Sequence, residues 1–126
     1  MKKAAQGGML GLAYVAQDRV HLRMQALTAV MLRNFMDARL RSAETIVEDR
    51  EGELRRPTVI LIPDFQGGAE RNAHARSRLS DLLVARAARG LLTVVGVQSV
   101  AATGKQYGAV IESLLHESYV LLEGEE

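Results

Sequence analysis

PTVILIPDFQGG, residues 57–68, reads as a buried parallel strand that ends on a carboxylate. Val59, Ile60, Leu61 and Ile62 form an unbroken apolar run rich in β-branched residues, with no polar alternation to mark a solvent face. Strands covered on both faces have this composition, and they belong to parallel sheets flanked by helices. The run stops at Pro63-Asp64 and turns at Gly67-Gly68. Ligands of open α/β sheets gather at the carboxyl ends of the strands, so Asp64 is the first candidate for chemistry. A phosphate site would also need a G-x-x-x-x-G-K-[ST] loop, whose amides and lysine cradle the phosphates, and the sequence contains none.

Downstream, a helix is expected from about Glu70 to Arg89, packing through Leu79, Leu82, Leu83 and Ala87. Gly90 supplies its stop signal, and Arg86 and Arg89 lie in the last turn, where the helix dipole favours cations. Residues 91–98 (LLTVVGVQ) read as a second buried strand. Thr103-Gly-Lys-Gln106 has capping-box spacing and predicts a helix start at Thr103, followed by Tyr107, Val110, Ile111, Leu114 and Leu115. Residues 119–122 (YVLL) form a short final strand.

Upstream, Val20, Leu22 and Met24 alternate with His21 and Arg23, the pattern of a half-buried strand. From Gln25 to about Val47 the spacing lengthens to three and four through Leu27, Val30, Met31, Phe35, Ala38, Ala43 and Ile46. That period predicts one long amphipathic helix. Residues 4–17 (AAQGGMLGLAYVAQ) read as a buried helix weakened by Gly7, Gly8 and Gly11, and 48–56 as a solvated connector. The order α-β-α-β-α-β-α-β places the chain in the α/β class, as a three-layer sandwich with a mostly parallel four-stranded sheet.

The totals narrow the function. A chain of 126 residues is expected to form a single α/β domain over 1–126. Its apolar fraction of 48% and charged fraction of 25% are those of an ordinary soluble protein, and a net charge of +1 selects no partner. With no cysteine, thiolate catalysis, disulfides and cysteine-based metal sites are excluded. His21, His74 and His116 lack any metal-ligand spacing. Lys2-Lys3 before GGMLGLAYVA has only a faint likeness to a secretory signal: the apolar segment is short, glycine-broken and without a small-x-small cleavage site. No apolar run approaches the ~20 residues of a membrane span, so a cytoplasmic protein is expected.

Four segments together resemble the ATPase core of bacterial helicase loaders and transposition helper ATPases, in the AAA+ class. Residues 20–42 look like that family's second strand and following helix, and PTVILIPDFQGG like its Walker B strand. Residues 79–99 look like the helix and sensor strand, and 107–126 like the closing helix and strand. The resemblance implies ATP and Mg²⁺ as cofactors, with Asp64 as metal ligand or water-polarising catalytic base and Gln98 and Ser99 as the polar sensor. It departs from the family twice. The Walker B pair of acids is reduced to one, since its place reads Pro63-Asp64 or Asp64-Phe65. The first strand and its phosphate loop are missing, so the fold expected is P-loop NTPase-like without the first strand.

In that family the missing strand lies at the sheet centre, between those read at 119–122 and 91–98. The vacancy would be closed by direct pairing of its neighbours, by a strand from a partner, or by the rest of a longer ATPase core of which this chain is a fragment. The function implied is a degenerate or partial ATPase domain in a DNA-associated assembly, without ATP hydrolysis on its own. It competes with a non-enzymatic α/β interaction module or structural subunit, and with a small phosphate-binding regulator. The partners expected are another protein or a second copy, and DNA, but no membrane.

Each candidate also has a plainer reading. Asp64 is either the ligand just described or a strand-end residue bonding the amides of its own turn. Gln98 and Ser99 either sense a phosphate or end a strand. Arg71, Arg76 and Arg78, with Arg86, Arg89 and His74, either contact phosphates of DNA or of a neighbour's nucleotide, or form a solvated helix face. No aromatic residues interleave with them, which removes base stacking as a mode of binding.

Overall fold

A computed structural model describes residues 9–124. Its elements in order are β1 (Gly11–Val15), α1 (Val20–Arg33), β2 (Ala38–Leu40), α2 (Ala43–Val47), a 3₁₀ turn (Glu53–Arg55) and β3 (Val59–Ile62). Then come α3 (Phe65–Gly68), α4 (Ala73–Ala88), β4 (Leu92–Val97), α5 (Val100–Tyr107), α6 (Ala109–Ser118) and β5 (Tyr119–Glu123). The five strands form one sheet in the order β2-β3-β4-β1-β5, and every pairing is parallel.

The central strand expected to be missing is present as β1. It pairs with β4 from Gly11↔Thr93 to Val15↔Val97 and with β5 from Gly11↔Tyr119 to Val15↔Glu123. The sheet therefore has five strands rather than four, and the vacancy between β4 and β5 does not exist. Residues 11–15, read as part of a helix, are extended because a short apolar run buried on both faces carries no period that separates strand from helix. Gly11 is the clue in hindsight. A Cβ there would collide with the Thr93 carbonyl oxygen and the Tyr119 ring, a constraint of strand packing rather than a weakness in a helix. Residues 4–8 of that expected helix lie outside the described residues.

Two further expectations are corrected upstream. The strand expected at Val20–Met24 is the start of α1, in which Val20 and Met24, four apart, face the sheet while Leu22 is exposed. The long helix expected from Gln25 to Val47 ends at Arg33, passes through Phe35 in a left-handed conformation (φ 61°), and becomes β2 and α2. Asn34 closes α1, its side-chain amide donating to the Val30 carbonyl at 2.8 Å. Ala38 continues the helical spacing by coincidence, but it and Leu40 pair with Val59 and Leu61.

Downstream the reading holds with shifted ends. β3, β4, α4 and β5 lie where expected, and Gly90 (φ +70°) follows α4. Asn72 caps α4, accepting from the Ala75 amide at 2.8 Å. The last helical region starts earlier than Thr103. Ser99 is its N-cap, accepting from the Ala102 amide, while Thr103 is buried inside α5 and donates to the Ser99 carbonyl at 2.7 Å. A break at Gly108 (φ +110°) separates α5 from α6.

Handedness sets the layers. The β1-to-β2 connection runs back across β4 and β3, whereas the later connections run the opposite way. Right-handed crossovers then place α1 on one face and the remaining helices on the other. Along β3 the side chains divide accordingly. Val59 and Leu61 join Met24 of α1, and Ile60 and Ile62 join Leu79, Leu83, Ile111 and Leu115 on the opposite side.

Arg86, read as a last-turn surface cation, is instead fully buried. Its guanidinium donates to Thr93 Oγ1 at 2.9 Å and to the carbonyls of Leu54, Pro57, Thr58 and Leu92 at 2.7–3.2 Å. Burial pulls its pKa down to about 10, so it stays cationic at neutral pH. This one side chain ties α4 to the amino ends of β3 and β4.

Candidate functional site at the carboxyl edge of the sheet

The carboxyl ends of β1, β3 and β4 open onto a cleft of about 250 Å³ whose lining includes Tyr14, Gln17, Asp64, Gln66, Glu70 and Gln98. Asp64 and Gln98, chosen from sequence for a shared sheet edge, are thus in the same cleft. Ser99 is adjacent, but its hydroxyl caps α5.

Asp64 is exposed, and its Oδ1 accepts from the Ala43 amide at 2.8 Å. It makes no side-chain cap to its own helical turn, α3. The carboxylate therefore joins the end of β3 to the first residue of α2, where the helix dipole favours negative charge. Ser42 caps the same helix from the other side by accepting from the Thr45 amide.

Gln66 was not singled out from the sequence, yet it organises the mouth of the cleft. Its Oε1 accepts from the amides of Gln98 at 2.7 Å and Ser99 at 3.1 Å, and from the Thr103 hydroxyl at 3.1 Å. The amides a ligand would meet at the end of β4 are already engaged. Phe65, one residue earlier, stacks on Tyr107 of α5 with ring centroids 4.4 Å apart, and the Tyr107 hydroxyl donates to the Phe65 carbonyl. The only sequence signal for this junction is a Gln two residues past a strand-end Asp, too common a pattern to be diagnostic.

The connection after β1 decides what the cleft can hold. It is the four residues Ala16-Gln17-Asp18-Arg19, with Ala16 (φ 52°) and Arg19 (φ 53°) left-handed. It is laced to its neighbours by the Ala16 amide on the Val97 carbonyl at 2.9 Å and by Gln17 Nε2 on the Leu122 carbonyl at 2.7 Å. It contains no glycine and no lysine. Among the described residues, the charged side chains lining the cleft are Asp64 and Glu70, both carboxylates, with no arginine or lysine. A triphosphate there would face negative charge with no compensating cation among the described residues, so these residues do not fit one. Nor do the described residues contain a group of three His, Asp or Glu side chains able to hold a metal ion.

The arginines lie elsewhere, around the start of α4. Arg71 approaches Glu44 at 3.9 Å, Arg76 donates to the Ala69 carbonyl at 2.9 Å, and Arg78 donates to the Asp49 carbonyl. Arg78 joins Arg50 and His74 along a groove beside α2. A guanidinium has five N–H donors, so these single bonds leave most of each group's capacity unused.

The fold recurs in solved structures. This fold is shared with the DnaC helicase loader. That structure superposes with a TM-score of 0.72 at 17% identity, covering 90% of this chain and 77% of the loader. A DNA replication initiation factor superposes with a TM-score of 0.72 at 13% identity, over 97% of this chain but 43% of that one. The chain thus spans less than half the length of the initiation factor. At such identities the likeness is one of fold. No protein-family model matches the sequence, and no curated protein matches it in sequence.

Proposed function

We propose that this chain is a helicase-loader-like α/β module that works in a DNA-replication assembly by contact, without hydrolysing ATP itself. The observation that carries this reading is the pairing of a loader-type sheet with a four-residue β1–α1 connection lacking glycine and lysine. Phosphoryl transfer depends on positioning and on neutralising the phosphates, and a cleft bearing Asp64 and Glu70 provides neither. The edge that serves chemistry in nucleotide enzymes of this topology is here spent on structure, through Asp64 on α2 and Gln66 on β4 and α5.

In this reading Arg71, Arg76 and Arg78 take DNA phosphates through their remaining donors, and the rest of the surface meets protein. In this reading the module works in the cytoplasm, beside the DNA. Among the described residues no helix is long and apolar enough to cross a membrane. Calorimetric titration with ATP·Mg²⁺, run beside Asp64→Ala, tests the first half. The expected result is no saturable heat from either protein. Saturable binding that weakens in Asp64→Ala would restore Asp64 as a metal ligand, with Gln98 and Ser99 as sensor, and overturn the reading. The second half predicts salt-dependent DNA binding that falls when the three arginines are neutralised together.

A further inference from the structure

We infer that the amino edge of the sheet, centred on Phe35, docks an acidic segment of a partner protein that brings its own apolar anchor. Helix α1 ends in a Schellman motif. The Phe35 amide donates to the Leu32 carbonyl at 3.1 Å, and the Met36 amide to the Met31 carbonyl at 3.0 Å. Met31 and Met36 pack against the same core. The motif needs a left-handed residue at position 35, and Phe35 has φ 61°. Glycine is the usual occupant of such a position, because a Cβ is strained there.

Phe35 puts a whole ring at that position and leaves it 98% exposed. The side chain therefore serves neither the turn nor the core, and a contact outside the chain is the use left to it. It does not stand alone. Val30 and Leu32 are 52% and 54% exposed, and no other six-residue stretch among the described residues holds three exposed large apolar side chains. Such clustering marks an interaction surface, whereas scattered single residues do not.

Charge then selects the occupant. Ala38, Val59 and Leu92 form one row across β2, β3 and β4. Phe35, Arg56 and Arg89 each stand three residues ahead of that row, so they share the amino edge over roughly 10 Å of sheet width. Arg33, Arg56 and Arg89 are exposed and form no ion pair among the described residues. Of the nearby acids, Asp37 pairs with Arg39 at 3.1 Å, and Glu53 shares its 3₁₀ turn with Arg55. Glu117 precedes β5, four strand spacings or roughly 19 Å from β2. An apolar centre among unpaired arginines is complementary to an acidic partner. Aliphatic Val30 and Leu32 beside one aromatic suit apolar side chains rather than the successive rings on which unpaired bases stack. Protein interfaces also favour aromatic residues, methionine and arginine over lysine, and no lysine lies in this patch. The surface is at the other end of α4 from Arg71, so it stands or falls separately from the proposed DNA contacts.

Panning a displayed random-peptide library on the full chain, with Phe35→Gly as counter-selection, tests it. Glycine suits the left-handed turn, so the melting temperature of Phe35→Gly should not fall. Peptides retained by the wild type alone should carry net negative charge around a leucine or an aromatic residue. By fluorescence anisotropy they should bind at least tenfold more weakly to Phe35→Gly, and equally so to a chain carrying Arg33→Glu with Arg56→Glu. Single-stranded oligothymidine should not distinguish Phe35→Gly from the wild type. A lower melting temperature in Phe35→Gly would mean that the ring serves the fold, and would overturn the inference. So would a library yielding no peptide that separates the two proteins, or separating peptides that are neutral or basic. Oligothymidine binding that falls with Phe35→Gly would overturn it too, by making this edge a nucleic-acid surface.

Discussion

Replacing Arg86 should be the most damaging single change in the described structure. Its guanidinium is wholly buried and serves five acceptors, four of them backbone carbonyls at the amino ends of β3 and β4 and in the segment before β3. Arg86→Met keeps the stem's packing and removes every donor. Hydrogen bonds from a charged group contribute ~1.5–3 kcal/mol each, but losing the buried charge also removes its desolvation cost. Some freed carbonyls will find water. The net loss should be about 3–5 kcal/mol, a large share of the ~5–15 kcal/mol that holds a domain folded. Unfolding entropy of ~2.1 cal/mol/K per residue over 126 residues converts 4 kcal/mol into a melting-temperature drop of roughly 15 °C. Arg86→Lys keeps the charge but has three donors, so about half the loss should remain. Urea unfolding followed by far-ultraviolet circular dichroism measures all of this. A loss below about 1 kcal/mol in Arg86→Met would refute the view that this side chain holds the sheet to α4.

Three smaller predictions concern the cleft and its surroundings. Asp64→Ala should cost about 1 kcal/mol by removing the acceptor for the Ala43 amide, and Asp64→Asn distinctly less because Oδ1 survives; equal losses in chemical denaturation would argue against that role. Gln66→Ala should cost about 1–3 kcal/mol by freeing two amides and a hydroxyl, whereas Gln66→Glu, which keeps an acceptor near the start of α5, should cost less. Burial pushes the phenols of Tyr107 and Tyr119 above the ordinary tyrosine value. The folded chain therefore holds those protons more tightly than the unfolded one, and their contribution to stability is full below pH ~10 and lost as pH rises beyond it. Arg86, lowered to about 10, acts in the opposite direction over that window, so the comparison is with Tyr107→Phe. That variant should show a shallower alkaline decline in stability, and an unchanged decline would contradict the assignment.

Much of the α/β architecture is written locally. VILI at β3 and TVVGV in β4 are apolar without alternation and rich in β-branched residues, the composition of a strand buried on both faces. Gly90 marks the end of α4 because a left-handed residue after a helix is best supplied by glycine. The gathering of Asp64 and Gln98 at one edge follows from those strands being parallel, which the alternation of elements already implied.

The rest depends on contacts between distant parts of the chain. GLAYV is equally good as a buried helix turn or a buried strand, and what makes it β1 is the pair of partners beginning at Thr93 and Tyr119, about 80 and 110 residues away. Arg86 has the sequence signature of a helix-end surface cation. Only the convergence of Leu54, Pro57, Thr58 and Leu92 around it makes burial tolerable. The sequence offers Asp64 as a ligand or as the cap of its own turn, and folding brings its Oδ1 the Ala43 amide, 21 residues back. Hydrophobic period and capping residues are local properties, legible along the chain. Strand order, buried charge and the partner of a single carboxylate are set by which surfaces meet, and those the tertiary structure alone decided.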